Sequence, residues 1–156
     1  MINTVFLDID GILTDGAVYV DASGKETKRI LFEDIDAIFE LKRAGFKIGF
    51  ITGEDNEFCD YVYRRFSPDF LIRGCKDKLG EFKQLAEEHD LDEAKMCYAG
   101  DSQRDIGLLE FSGKSFAPAD SSTQVRNAAK AVLKAARGGG VIRELVDNIL
   151  GLNNSK

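Results

Sequence analysis

Val5-Phe6-Leu7-Asp8-Ile9-Asp10-Gly11 opens the chain's main motif, and Ile12-Leu13-Thr14-Asp15-Gly16 follows directly. Residues 5–9 are mostly apolar, as is typical of a buried strand. Asp8 and Asp10 lie at the carboxyl end of this strand. Side chains two residues apart on an extended segment point the same way, so both carboxylates can address one ligand. Gly11 lets the chain turn away sharply. The same residues would also suit an aspartate-rich turn without a chemical role.

The pattern beyond this motif predicts a mostly parallel, Rossmann-like α/β sheet with helices on both faces, because short apolar runs alternate with helical periodicity. Further strands are predicted at residues 46–51, 69–72, 95–99 and 114–117, and helices at residues 34–44, 57–66, 78–89 and 141–150. The segment 125–137 is compatible with a helix or with a short strand at 131–133.

Residues 17–32 predict a β-hairpin inserted after the first strand. Two extended arms, 17–20 and 26–32, flank a turn rich in Asp, Ser and Gly at 21–25. The 156 residues suit one domain, predicted at 1–152, with 153–156 as a tail. That length leaves no room for a substrate-covering cap domain.

Composition excludes several classes of protein. A net charge of -6 argues against a nucleic-acid or anionic-membrane surface. No apolar run approaches the roughly 20 residues of a membrane span. The odd number and wide spacing of Cys59, Cys75 and Cys97 indicate neither a disulfide framework nor a zinc site. Because the first residues also lack the features of a secretory signal, we expect a cytoplasmic protein.

The residues after the first three strands match the needs of phosphate ester cleavage. Asp8 would attack phosphorus, while Asp10 would protonate the leaving oxygen and later activate water. Thr52 and Gly53 end the second strand with a hydroxyl and an unhindered N–H that can hold phosphate oxygens. Lys78 follows the third strand and could neutralise phosphate and nucleophile.

The fourth strand leads into Gly100-Asp101-Ser102-Gln103-Arg104-Asp105, which suggests a magnesium site. Mg²⁺ prefers oxygen ligands, usually one or two carboxylates with several waters, and Asp101 with Asp8 would supply them. Asp101 could also simply cap the following helix. Each motif is common alone. Four of them in order at successive strand ends predict a magnesium-dependent phosphatase.

With these motifs the chain resembles the haloacid dehalogenase superfamily of aspartate-nucleophile phosphatases. The Leu-Thr-Asp-Gly at 13–16, the hairpin and the glycine-rich residues 137–144 resemble its capless branch, which dephosphorylates 2-keto-3-deoxy sugar acids. Branch members act on 3-deoxy-D-manno-octulosonate 8-phosphate or 2-keto-3-deoxynononate 9-phosphate. The resemblance implies a homotetramer in which hairpins meet at the centre and neighbouring subunits cover each active site.

The same resemblance implies a role for each site residue. Asp8 is the nucleophile and Asp10 the general acid and base, with the Asp10 backbone carbonyl also on Mg²⁺. Asp101 is the metal carboxylate, and Asp105 supports it. Thr52, with Gly53 beside it, and Lys78 occupy the phosphate-holding positions.

Glu54 is the residue from which we predict the substrate. The octulosonate enzymes read Thr-Gly-Arg at this point, whereas the nononate enzyme reads Thr-Gly-Glu as this chain does. In the nononate-like arrangement a cation on the next helix assists, and Arg65 lies at about the matching position. A nine-carbon acid is therefore favoured. The chain departs from the family pattern at residues 34–37 and at Ser102, where a second Asp is usual. These departures weaken the inference about the substrate more than the inference about the reaction.

Three alternatives stay open at this point. The chain could be a nucleotide or small phosphosugar phosphatase of the same superfamily. It could be a phosphoacceptor signalling domain, although Asp10 speaks against this because a lasting aspartyl phosphate should lack an acid-base group beside it. It could also be an inactive assembly subunit held together by the hairpin.

Overall fold

The first strand lies in the interior of a six-stranded sheet in which every neighbouring pair is parallel. The computed structural model describes residues 1–151. The sheet order is β5-β4-β1-β6-β7-β8, and a separate antiparallel pair joins β2 and β3. The strands are β1 (Thr4–Asp8), β2 (Tyr19–Val20), β3 (Glu26–Thr27), β4 (Lys47–Ile51), β5 (Phe70–Ile72), β6 (Met96–Ala99), β7 (Lys114–Ala117) and β8 (Ala131–Val132).

Helices cover both faces of this sheet, which confirms the predicted fold class. Along β1, Val5 and Leu7 join the core on one face, whereas Phe6 joins the core on the other, as the alternation of strand side chains requires. The first core includes residues of α1 (Phe32–Arg43), α2 (Glu57–Phe66) and α6 (Val141–Ile149); the second includes residues of α3 (Lys78–Glu88), α4 (Ile106–Phe111) and α5 (Thr123–Ala128).

The hairpin is shorter than predicted. Its strands have two residues each, so the predicted arm at 26–32 is wrong beyond Thr27, and α1 already begins at Phe32. The turn closes because the Asp21 carboxylate accepts hydrogen bonds from the Ser23 and Lys25 N–H groups. After Thr27 the chain leaves the hairpin, and the side chain of the next residue, Lys28, pairs with Asp10 in the first loop.

The ambiguous segment 125–137 contains both predicted alternatives in succession. The end of helix α5 is followed by strand β8, which pairs in parallel with β7 at the edge of the sheet. A six-residue helix and a two-residue strand are too short to show a decisive periodicity. The predicted helix at 34–44 begins two residues earlier, at Phe32.

The extent of the domain, 1–152, stays a prediction. Its last residue and the predicted tail at 153–156 lie outside the described residues. Within residues 1–151, no helix combines the length and apolar character needed to cross a membrane.

Gly49 on β4 is required by the packing of the sheet against α3. A Cβ at this position would lie 2.2 Å from Cε1 of the buried Phe6 ring. We therefore expect Gly49→Ala to destabilise the protein by about 1–3 kcal/mol, the usual cost of overpacking a core. Denaturant unfolding measures this change.

A double-mutant cycle identifies the cause. Phe6→Leu removes the ring atoms that the new methyl group would meet, so Gly49→Ala should cost at least about 1 kcal/mol less in that background. Equal costs in both backgrounds would contradict a clash with Phe6.

Candidate active site

Strand register brings the predicted catalytic loops together. Asp8 pairs with Ile51 across the sheet, and Leu7 pairs with Ala99. Thr52 therefore lies just beyond the end of β4, and Asp101 lies two residues beyond β6, on either side of Asp8. The carboxyl ends of three adjacent parallel strands thus form the site, where open α/β sheets generally bind ligands.

The turn after β1 fixes the direction of the Asp8 carboxylate. Asp8 Oδ1 accepts a hydrogen bond of 2.8 Å from the Ile9 N–H. Thr14 Oγ1 accepts hydrogen bonds of 3.3 Å from the N–H groups of Gly11 and Gly16, which holds the turn closed. Gly11 adopts φ 88°, and a Cβ there would lie 1.9 Å from Asp101 Oδ2. The glycine therefore allows the first and fourth loops to touch.

Lys78 lies between two buried carboxylates. Its Nζ is 3.1 Å from Asp8 Oδ1 and 2.7 Å from Asp105 Oδ1. Burial alone would lower the pKa of Lys78, but the two carboxylates raise it above its ordinary value. The ammonium group therefore stays protonated beside the candidate nucleophile.

Asp105 uses both of its oxygens within the protein. Besides Lys78, Oδ1 accepts a 2.5 Å hydrogen bond from the Tyr98 hydroxyl. Oδ2 accepts bonds from the N–H groups of Asp101 and Ser102 and from the Ser102 hydroxyl. Burial would raise the pKa of Asp105, but Lys78 and these hydrogen bonds lower it. Asp105 is thus placed to orient the loop that carries Asp101.

The donor set fits a divalent cation with a preference for oxygen. Carboxylate oxygens of Asp8, Asp101 and Asp105 lie within 4.8 Å of one another. Burial, followed by repulsion from Asp105, raises the pKa of Asp8 well above its ordinary value, and burial also raises that of Asp101. A cation relieves such crowding of negative charge. Because the Asp105 oxygens already accept five hydrogen bonds, Asp8 and Asp101 are the side chains that could hold an ion such as Mg²⁺.

A cavity of about 320 Å³ opens above these carboxylates. It brings together seven of the residues predicted from the sequence, and Asp105 lies just behind them. The residues that line it are Asp8, Asp10, Gly16, Thr52, Gly53, Glu54, Lys78, Asp101, Ser102 and Arg104. The buried Thr52 side chain accepts a 3.1 Å hydrogen bond from the Glu54 N–H, so its hydroxyl hydrogen can serve a ligand.

Arg65 does not reach this cavity in its own chain. It is exposed on α2, and its guanidinium lies 5.8 Å from the ring centroid of Phe39 on α1. Its predicted part in specificity would require the cavity of a neighbouring subunit.

Asp10 has a partner that the sequence reasoning missed. Lys28 Nζ lies 2.7 Å from Asp10 Oδ1, and the same Nζ lies 4.9 Å from the centroid of the Phe58 ring. The Lys28 side chain is nearly buried, whereas Asp10 is about one-third exposed. Lys28, directly after the hairpin, thus holds the Asp10 carboxylate at the mouth of the cavity.

Two arginines near the cavity also had no predicted role. Arg137, in the glycine-rich segment, has Nη1 3.6 Å from Asp101 Oδ2 and Nε 3.2 Å from Asp120 Oδ2. Arg104 lines the cavity itself. Its place inside the run from Gly100 to Asp105 was the available signal, but that run was interpreted only through its carboxylates.

Comparison with known proteins identifies the family of this chain. Residues 69–145 match the model of a family described as haloacid dehalogenase-like hydrolase. The chain is 31% identical over 153 residues to the 3-deoxy-D-manno-octulosonate 8-phosphate phosphatase KdsC of Haemophilus influenzae, covering 96% of this chain and 83% of that protein. The chain belongs to the haloacid dehalogenase superfamily, in its capless, KdsC-like branch.

Solved structures of the KdsC-like branch share the architecture. The crystal structure of 3-deoxy-D-manno-octulosonate 8-phosphate phosphatase from Moraxella catarrhalis superposes with a TM-score of 0.91 at 26% identity. The match covers 98% of this chain and 88% of that chain. That structure is a complex with a magnesium ion, a phosphate ion and a KDO molecule.

A second group of relatives is longer than this chain. N-acylneuraminate cytidylyltransferase A of Danio rerio is 31% identical over 153 residues, which is 96% of this chain but 35% of that protein. The chain therefore spans about a third of the length of these relatives.

Asp105 should be the main stabilising residue of the site. Asp105→Ala would leave Lys78 with one of its two buried partners and the Tyr98 hydroxyl without an acceptor. We expect a loss of about 3–5 kcal/mol in the free energy of unfolding, as for other broken buried ion pairs. Thermal and denaturant unfolding provide the measurement.

Asp60→Ala is the matched control, because it removes an aspartate that pairs with Arg73 at 2.6 Å on the surface. Exposed pairs contribute little, so this variant should stay close to the wild type. A cost of Asp105→Ala no larger than that of Asp60→Ala would refute the role of the buried cluster.

Proposed function

We propose that the chain is a magnesium-dependent phosphatase that hydrolyses a phosphorylated 2-keto-3-deoxy sugar acid through an aspartyl phosphate. The observation that carries this proposal is the position of Asp8, buried at the base of the cavity with Lys78 Nζ at 3.1 Å and Asp101 beside it. A carboxylate held next to a cation is suited to attack an anionic phosphate.

The reaction would proceed in two steps. In the first, an Asp8 oxygen forms a bond to phosphorus while the bond to the sugar oxygen breaks, and Asp10 gives its proton to that oxygen. In the second, the Asp10 carboxylate takes a proton from water as the water oxygen attacks phosphorus. The bond between phosphorus and Asp8 then breaks, which releases phosphate and restores both carboxyl groups.

Other residues would lower the cost of bringing two anions together. Lys78, Thr52 and the Gly53 N–H would hold the phosphate oxygens, and Lys28 would keep Asp10 directed toward the leaving oxygen. Asp8, Asp101 and the Asp10 backbone carbonyl would hold Mg²⁺. When bound, the ion supplies positive charge that reduces repulsion between Asp8 and the phosphate.

The names of the relatives support a keto-deoxy sugar acid as the substrate. KdsC proteins are named for an eight-carbon acid, whereas the cytidylyltransferases are named for N-acylneuraminate, a nine-carbon acid. Glu54 lines the cavity, where it would accept hydrogen bonds from sugar hydroxyls. Because Thr52-Gly53-Glu54 has the glutamate expected of the nononate enzyme in place of the arginine expected of the octulosonate enzymes, we favour nononate 9-phosphate over octulosonate 8-phosphate.

Steady-state kinetics on a panel of phosphate esters tests this function. With Mg²⁺, kcat/KM should be highest for nononate 9-phosphate, followed by octulosonate 8-phosphate, and lower for nucleoside monophosphates and small phosphosugars. Asp8→Asn should lower kcat by at least about a thousandfold, because the nucleophile is lost.

Asp36→Asn, an exposed change on α1 outside the cavity, should retain wild-type activity. Circular dichroism would verify that both variants are folded. Turnover no higher than in an EDTA control, or an Asp8→Asn variant as active as the wild type, would end the proposal.

The assembly is proposed to be a homotetramer formed through the hairpins. Val18, Tyr19 and Val20 expose 45%, 51% and 58% of their surface on this hairpin. Apolar side chains clustered on one exposed segment favour an interface. Because the cavity is open and residues 1–151 form no cap over it, a neighbouring subunit could cover the substrate.

Light scattering tests this assembly. The wild type should have the mass of a tetramer, and the double variant Val18→Lys with Val20→Lys should be smaller, because charged residues would be buried against one another. Val132→Lys is a control, since Val132 is also exposed but lies on the edge strand β8. A monomeric wild type, or a double variant that stays tetrameric, would contradict the proposal.

A further inference from the structure

The cavity contains two cationic side chains at different depths. Of its ten lining residues, Lys78 and Arg104 carry positive charge. Lys78 is buried and pairs with two carboxylates, so its charge is already largely balanced. Arg104 is exposed, and no ion pair among residues 1–151 includes it. Its charge is therefore available to a ligand.

The Arg104 side chain spans the end of the first strand. It belongs to the short helical turn Gln103–Asp105 that follows β6, yet its Nη1 would be 3.1 Å from a Cβ at Gly53, which follows β4. Strand β1 lies between β4 and β6 in the sheet. The guanidinium therefore reaches from the loop after β6 to the loop after β4, and the exposed side chain lines the cavity between them. Any larger side chain at position 53 would press on it.

We propose that Arg104 binds a carboxylate on the leaving group of the substrate and so selects phosphate esters that carry a second anion. This inference rests on the proposed phosphatase function. Phosphorus must reach Asp8 and Lys78 at the base of the cavity, so the rest of the substrate extends toward the opening. There the substrate meets Arg104.

The chemistry of the opening favours this assignment. A guanidinium presents paired N–H donors that match the two oxygens of a carboxylate. Glu54 is the acidic neighbour in the loop after β4, and it would repel a carboxylate while accepting hydrogen bonds from hydroxyls. Arg104 and Glu54 together would orient a polyhydroxy acid with its carboxylate toward the loop after β6.

The competing role for Arg104 is contact with the phosphate itself, and the experiment separates the two. Kinetics would be measured on octulosonate 8-phosphate and nononate 9-phosphate, and on two esters without a carboxylate, mannose 6-phosphate and p-nitrophenyl phosphate. Inhibition by inorganic phosphate would be measured in parallel. The variants are Arg104→Gln, Arg104→Lys and, as a matched control outside the cavity, Arg126→Gln on α5.

Arg104→Gln should lower kcat/KM for the sugar acid phosphates by about 10- to 100-fold, mainly through KM, the effect of losing hydrogen bonds to a charged group. For the two esters without a carboxylate, kcat/KM should change by less than about threefold, because they lack the group that Arg104 is proposed to bind. The inhibition constant of phosphate should change as little, for the same reason. Arg104→Lys should restore part of the preference, because it keeps the charge but lacks the paired donors. Arg126→Gln should match the wild type.

Two results would overturn the role of Arg104 in an active enzyme. One is an unchanged preference for the sugar acid phosphates in Arg104→Gln. The other is an equal loss for every ester together with weaker inhibition by phosphate, which would make Arg104 a phosphate ligand. A wild type that hydrolyses none of the esters would overturn the proposed function itself, and this inference with it.

Discussion

The ammonium group of Lys78, held between the carboxylates of Asp8 and Asp105, is the contact on which the rest of the site depends. Removing three charges from water is expensive, and close pairing of opposite charges offsets that cost. Lys78 begins α3, Asp8 ends β1 and Asp105 follows β6, so one charge cluster ties together three segments from distant parts of the chain. Asp105 then fixes the loop that carries Asp101. The nucleophile and the proposed cation site therefore share one buried support.

Much of the fold and part of the site could be predicted from the sequence because their causes are local. An apolar run ending in polar residues marks a strand and its carboxyl end, and in a parallel sheet all such ends lie on one edge. Asp8, Thr52, Lys78 and Asp101 could therefore be grouped without knowing the order of the strands. The presence of helices on both faces of the sheet also followed from the alternation of short apolar runs with helical periodicity.

The remaining features depend on the path of the chain in three dimensions. Nothing near Lys28 indicates that its side chain reaches Asp10, 18 residues away, or that the strand pairing of the hairpin ends at Thr27. Arg104 approaches Gly53 across the end of β1, which lies between β4 and β6 in the sheet, and this depends on the strand order. Arg65 sits at a plausible distance along the sequence, yet its helix directs it toward Phe39 and away from the cavity.

The close approach of Gly11 to Asp101 has a consequence for how this sequence can vary. The atom that a methyl group at position 11 would meet belongs to a carboxylate proposed to hold the metal, not to a flexible side chain that could move aside without loss. A single-nucleotide change that introduced alanine could leave the hydrophobic core intact and still separate the two loops. Position 11 would then be restricted to glycine for two separate reasons, the space that the ion-binding carboxylate occupies and the φ of 88° that strains any other L residue.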